Sequence, residues 1–133
     1  MIAGVADTHT ALWYLFKNPK LSPTALAFID YAAAVGKTIV LSPISFAEIV
    51  YLIEKARLPE STYQELMAAI EDDGYVIKEA LFDRRVVEAM RKVSRADVPD
   101  MPDRIIAATA VHLGVPVISR DARIRASDVQ TIW

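Results

Sequence analysis

The sequence predicts an α/β fold, a five-stranded parallel sheet covered by helices on both faces, and three observations carry that expectation. Short apolar runs alternate with stretches of helical periodicity along the whole chain, and strands that alternate with helices pack as a parallel sheet with helical crossovers. Two helical stretches open on the same pair, Ser22-Pro23 and Ser42-Pro43. Serine suits the N-cap, and proline the first turn, where its missing N–H is not needed. The 133 residues, with no repeat, low-complexity tract or linker, suit a single three-layer α/β/α domain over residues 1–133.

Taken in order, Ile2 to Ala6 reads as a first strand, and Thr8 to Lys17 as a helix with Leu12, Leu15 and Phe16 on one side. The helix begun by Ser22-Pro23 runs through Ala34 and stops near Gly36. Thr38 to Leu41 is the second strand, and the helix begun by Ser42-Pro43 reaches about Arg57. Pro59-Glu60 breaks it. Residues 61–72 form a helix ended by Asp73-Gly74, Tyr75 to Ile77 is the third strand, and residues 81–93 are helical. Arg95 to Pro102 is a loop leading into a helix from about Asp103 to Leu113, closed by Gly114. Pro116 to Ile118 is the fourth strand, Asp121 to Arg125 a short turn or helix, and Val129 to Trp133 an edge strand. Gly4 is a lone strand glycine and belongs to no phosphate loop.

The absence of cysteine excludes a disulfide scaffold, a thiolate zinc site and a cysteine nucleophile. Hydrophobic residues at 53% argue against disorder. The first residues contain no basic region and no long apolar run, so neither a signal peptide nor a membrane span is expected, and the cytoplasm is the default location. A net charge of −2 does not announce a nucleic-acid binder, but its distribution is uneven. Residues 1–80 carry six basic and ten acidic side chains, residues 81–125 nine basic and six acidic. The basic stretch is either a surface for a phosphate backbone or an ordinary solvated face.

Four carboxylates stand out. Ligands of open parallel sheets bind at the carboxyl ends of the strands, and Asp7 and Asp121 each follow an apolar run. Each could equally cap the helix that follows it. Glu48 is the only carboxylate or base from Pro43 to Ile53, in a helix apolar nearly all round and therefore expected to be largely buried. A buried carboxylate needs a partner, an arginine or a metal ion. Asp103 opens a helix of small residues, Ala107 to Ala110, that can lie close against the sheet; Asp100 competes with it as N-cap. As a set, hard oxygen ligands of this kind suit Mg²⁺ or Mn²⁺. Without a cation, clustered carboxylates raise one another's pKa.

The stretches around these acids, Val5 to Trp13, Ser42 to Ile49, Met101 to Ala110 and Val117 to Asp121, closely resemble in order the four motifs of PIN-domain toxins of the VapC type. The third is the most specific. The resemblance implies a PIN-like fold with a five-stranded parallel sheet and Mg²⁺- or Mn²⁺-dependent endoribonuclease activity on RNA. It also implies a homodimer and a cognate VapB-like antitoxin. It assigns Asp7, Glu48, Asp103 and Asp121 as the catalytic and metal-binding acids, with Thr8 and Ser119 as supporting hydroxyls. His9 fits the first motif, but nothing in the sequence makes it a base, and it and His112 read as packed or surface histidines. Trp13, Tyr14 and Phe16 have helical spacing and read as core or dimer-contact residues rather than base-stacking platforms.

Two other readings compete. A Mg²⁺-dependent phosphatase or phosphotransfer domain on a related fold would also place an aspartate after the first strand. A dehalogenase-type site wants a second aspartate two residues on, where this chain has His9, and a receiver-type site wants an acidic pair and a late lysine that are not present. The third reading is a catalytically silent PIN-like binding module. The presence of all four acids argues against it.

Overall fold

The computed structural model describes residues 1–133. Five strands, β1 (Ile2–Ala6), β2 (Thr38–Leu41), β3 (Ile77–Glu79), β4 (Val117–Ile118) and β5 (Thr131–Ile132), form one sheet in the order β3-β2-β1-β4-β5. Every neighbouring pair is parallel. Seven helices connect them: α1 (Thr8–Leu15), α2 (Pro23–Ala34), α3 (Pro43–Glu54), α4 (Ser61–Glu71), α5 (Arg84–Ala89), α6 (Met101–Leu113) and α7 (Ala122–Ala126). No helix is long and apolar enough to cross a membrane.

Side chains alternate along a strand, and the two faces of the sheet feed two apolar clusters. Ala6, Ile39, Leu41, Ile77 and Ile118 pack under Leu12, Ile29, Ile49 and Leu66 from α1 to α4. Val5, Val40 and Val117 pack on the other face beneath Val86, Ile106, Ala107, Ala110 and Ile124 from α5 to α7. Buried on both faces, β1 and β2 read in sequence as continuous apolar runs rather than alternating ones.

Caps hold the helices to their strands. Ser22 Oγ accepts from Ala25 N at 3.0 Å, and Ser42 Oγ from Ile44 N at 3.2 Å. Asp100 is the N-cap of α6, its Oδ2 accepting from Asp103 N at 3.2 Å, so that helix begins at Met101 with Pro102 in its first turn. It closes on Gly114, whose φ of +69° places it in the left-handed region that favours glycine. Gly4 answers a different need: a Cβ there would lie 3.2 Å from both the Phe28 ring and the Pro116 carbonyl oxygen.

Three expectations need correction. The third strand lies two residues later than its apolar run suggests. The pairing with β2 takes in Lys78 and Glu79, charges suited to an edge strand. Lys78 turns its Nζ back to donate to the Ile70 and Asp72 carbonyls, at 3.1 and 2.6 Å. The helix expected over 81–93 is only α5 plus a 3₁₀ turn, Met90–Lys92. Asp83 sets its start by capping Arg85 N at 2.9 Å. Finally, α3 is not largely buried. Only Ser45 and Ile49 are, and Val50 and Tyr51 are 41% and 55% exposed.

Candidate active site

The carboxyl ends of β1 and β4, neighbours in the sheet, open into a cleft of about 500 Å³ lined by Asp7, Glu48, Asp103, Asp121 and the capping Asp100. The four acids singled out by the sequence therefore come from four segments 41, 55 and 18 residues apart to one wall system. His9, Trp13, Thr8, Arg120 and Ala122 complete the lining.

Asp7 follows β1 directly. Its backbone N–H donates to the Ile118 carbonyl at 3.2 Å, continuing the β1–β4 pairing by one residue. Thr10 Oγ1 donates to the same carbonyl at 2.8 Å and clamps the start of α1 to β4. The Asp7 carboxylate is gripped at both oxygens. Oδ1 accepts from Thr10 N at 2.8 Å, the N-cap bond of α1, and Oδ2 accepts a short hydrogen bond from Ser119 Oγ. Ser119, fully buried, in turn accepts from Asp121 N at 3.0 Å. Asp121 Oδ1 caps α7, accepting from Arg123 N and Ile124 N at 2.9 and 3.0 Å. Capping and lining the cleft are thus compatible roles for both aspartates.

Glu48 projects from α3 and accepts from Thr8 Oγ1 at 2.6 Å. With its one proton committed to the carboxylate, the Thr8 oxygen accepts from Ser45 Oγ, 2.8 Å away. Thr8 and Ser45 are both buried. The arginine partner that would have explained Glu48 structurally does not exist. The ion pairs of the molecule are Arg85–Asp83 and Arg91–Glu88, neither of which involves a cleft acid.

Asp103 is the least supported of the set. Its carboxylate accepts no hydrogen bond, and its pKa is pushed up to about 7. Burial is the main cause, followed by the charges of Asp121, Asp100, Glu48 and Asp7. No three acidic or histidine side chains close to direct ligation distance of one point.

Neither histidine hydrogen-bonds a cleft acid, although His9 is part of the lining. His112 is exposed on α6, and His9 is exposed with its ring 5.6 Å from that of Trp13. Trp13 and Tyr14 are half-buried against the core, whereas Phe16 is 46% exposed. Sequence reasoning places Ser45 on the face of Glu48 but gives it no role, because that role depends on a neighbour 37 residues away. It passes over Arg120, whose guanidinium lies 4.7 Å from the Trp13 ring centroid. A serine one turn before the acid of the same helix was the available signal for Ser45.

The sequence matches the PIN domain family over residues 5–129. No curated protein matches it significantly. The crystal structure of VapBC2 from Rickettsia felis bound to a DNA fragment from their promoter contains a similar chain. Its TM-score is 0.71 at 16% identity, over 98% of this chain and 97% of that one. A chain of VapBC-1 from nontypeable Haemophilus influenzae superposes with a TM-score of 0.63 at 20% identity, over 98% and 96%. A chain of FitAcB from Neisseria gonorrhoeae gives 0.58 at 23%, again over 98% and 96%.

Proposed function

The chain belongs to the PIN domain family, and we propose that it is a VapC-type toxin, a divalent-metal-dependent endoribonuclease that hydrolyses RNA phosphodiester bonds in the cytoplasm. One observation carries this reading: Asp7, Glu48, Asp103 and Asp121 share a cleft in which no basic side chain pairs with any of them.

The donor set fits Mg²⁺ or Mn²⁺. All four groups are hard carboxylate oxygens, and Asp103, raised chiefly by burial and then by the four neighbouring negative charges, has no basic partner. Magnesium keeps several of its waters and needs only one or two carboxylates directly. The lack of a tight three-carboxylate cluster is therefore no obstacle. When bound, the cation would supply activation of water and stabilisation of charge developing on the phosphate. The chain's own residues hold the acids for that task. Ser119 and Thr10 fix the Asp7 carboxylate, and Thr8, itself held by Ser45, fixes Glu48. Such outer partners orient ligands and tune their basicity. No covalent nucleophile is required.

The relatives in fold are VapBC complexes, which supports a VapB-like antitoxin as partner. A homodimer is part of the same proposal, and Val50 and Tyr51, adjacent and exposed on α3, are apolar side chains that it would cover. The decisive experiment incubates purified protein with RNA, and separately with a small phosphomonoester, in Mg²⁺, Mn²⁺ or chelator. Divalent-dependent cutting of RNA without phosphate release is the expected result. An Asp7→Asn variant that cuts at the wild-type rate would show the site to be misassigned. Growth arrest on expression, relieved by the neighbouring small open reading frame, tests the antitoxin.

A further inference from the structure

Arg120 is the only lysine or arginine lining the acidic cleft. Five carboxylates line the same space, so Coulomb attraction alone would draw its guanidinium onto one of them. It is found elsewhere. Arg120 forms no ion pair with any carboxylate, and its guanidinium carbon lies over the Trp13 ring, 4.7 Å from the centroid. A flat, weakly hydrated guanidinium lies well on an indole face, because its N–H donors point outward in its own plane and stay free for another acceptor. The indole is itself braced, by His9 at 5.6 Å on one side and Trp133 at 5.9 Å on another. A second groove, of about 460 Å³ between α1 and α4, shares His9, Trp13 and Arg120 with the acidic cleft. The stacked pair therefore stands on the ridge where the two depressions meet.

A polyanion entering a cleft of five acids needs a fixed positive group at its edge, and this is the one such group in place. We propose that Arg120, held off the carboxylates by Trp13, grips a phosphate of the RNA strand flanking the one to be cut. It thereby directs the strand from the α1–α4 groove into the cleft. Arg120 is a substrate-binding residue in this assignment, and Trp13 is the positioning residue that keeps its donors unspent. Arginine suits the role because its fork meets two phosphate oxygens at once.

The inference rests on the nuclease reading, and one experiment separates the two. Steady-state cleavage of RNA with Mg²⁺ or Mn²⁺ gives KM and kcat. Anisotropy of a labelled oligoribonucleotide in chelator, at several salt concentrations, gives affinity and its salt slope. Arg120→Ala is expected to raise KM on the order of 10-fold with little change in kcat, as for a lost charge-assisted hydrogen bond. It should also flatten the slope of log affinity against log salt by about 0.7, one phosphate contact on a single strand. Arg120→Lys should restore the slope but only part of the KM. Trp13→Leu should raise KM although Arg120 is intact, because the freed guanidinium falls onto the carboxylates. Trp13→Phe, which keeps a ring, should lie between, and serves if the leucine variant does not fold. Thermal melts of Arg120→Ala, an exposed position, should match wild type. An active wild type with unchanged KM and salt slope in Arg120→Ala would overturn the assignment and leave the nuclease reading standing. So would a loss confined to kcat. A wild type that cuts no RNA with either metal removes both.

Discussion

Glu48 reaches the cleft on a helix mostly open to solvent, and Asp103 on one buried through its middle. In α3 only Ser45 and Ile49 are buried, whereas in α6 every residue from Ile105 to Ala110 is. Yet α3 has the larger apolar side chains and α6 the smaller. Burial follows how closely a helix can approach the sheet, and Ala107, Ala108 and Ala110 let α6 sit against Val5 and Val117. The electrostatics differ in the same sense. The open helix leaves room for Thr8 to hydrogen-bond Glu48, while the buried one delivers Asp103 with no donor at all.

The largest effects should be on chemistry and should not distinguish the helices. Asp103→Asn and Glu48→Gln are each expected to lower the RNA cleavage rate by about 100-fold or more, on the order of removing one essential electrostatic group. Stability in chelator sharpens the contrast. Glu48→Gln keeps an oxygen for Thr8 and leaves no arginine stranded, so it should melt no lower than wild type. Added Mg²⁺ should raise the melting point of wild type more than that of the variant.

Packing should separate the helices next. Ala107→Leu, at a fully buried site in α6, is expected to cost about 1–3 kcal/mol in chemical denaturation. Ala47→Leu, on the exposed side of α3, should stay within about 0.5 kcal/mol. Equal costs would mean that the two helices are packed alike.

The pH dependence comes third. The Asp103 carboxyl titrates near 7 in the folded chain and near 4 when unfolded. Between those values the folded state binds more protons than the unfolded, so stability in chelator should fall as pH rises from about 4 to 7. The loss attributable to Asp103 is expected to be on the order of 1–2 kcal/mol, less than the full shift would give because solvent screens part of it. Asp103→Asn should flatten this dependence, and a wild-type profile that stays flat would contradict the electrostatic account. The smallest effect belongs to Val50→Lys. It should leave monomer stability within about 0.5 kcal/mol while weakening self-association, as read by light scattering against concentration.

Much of this was legible in the sequence, and the limits have physical causes. β1, β2 and β4 and the Ser-Pro helix starts were readable because they are local signals, as was the order of the four acids. The burial of α3 was misjudged because composition reports the sum of a helix's contacts and not their direction. The two-residue displacement of β3 arises from pairing with β2, which no window around Tyr75 contains. Ser119 and Thr8 were marked by their motifs, but their partners, Asp7 at a separation of 112 and Glu48 at 40, exist only in the folded chain. The Arg120–Trp13 stack was invisible for the same reason, joining α1 to the loop after β4.

That separation also has a consequence in time. β1, which ends at Ala6 just before Asp7, is the central strand of the folded sheet, and its neighbour β4 is made more than a hundred residues later. At roughly 5–20 residues per second of synthesis, the interval is on the order of ten seconds. Throughout it the chain on the ribosome carries Asp7 without Ser119 to orient it or Asp121 to face it. The cleft is assembled by the last crossover, so a nascent chain brings its four acids and their hydrogen bonds together only after Asp121 has been made.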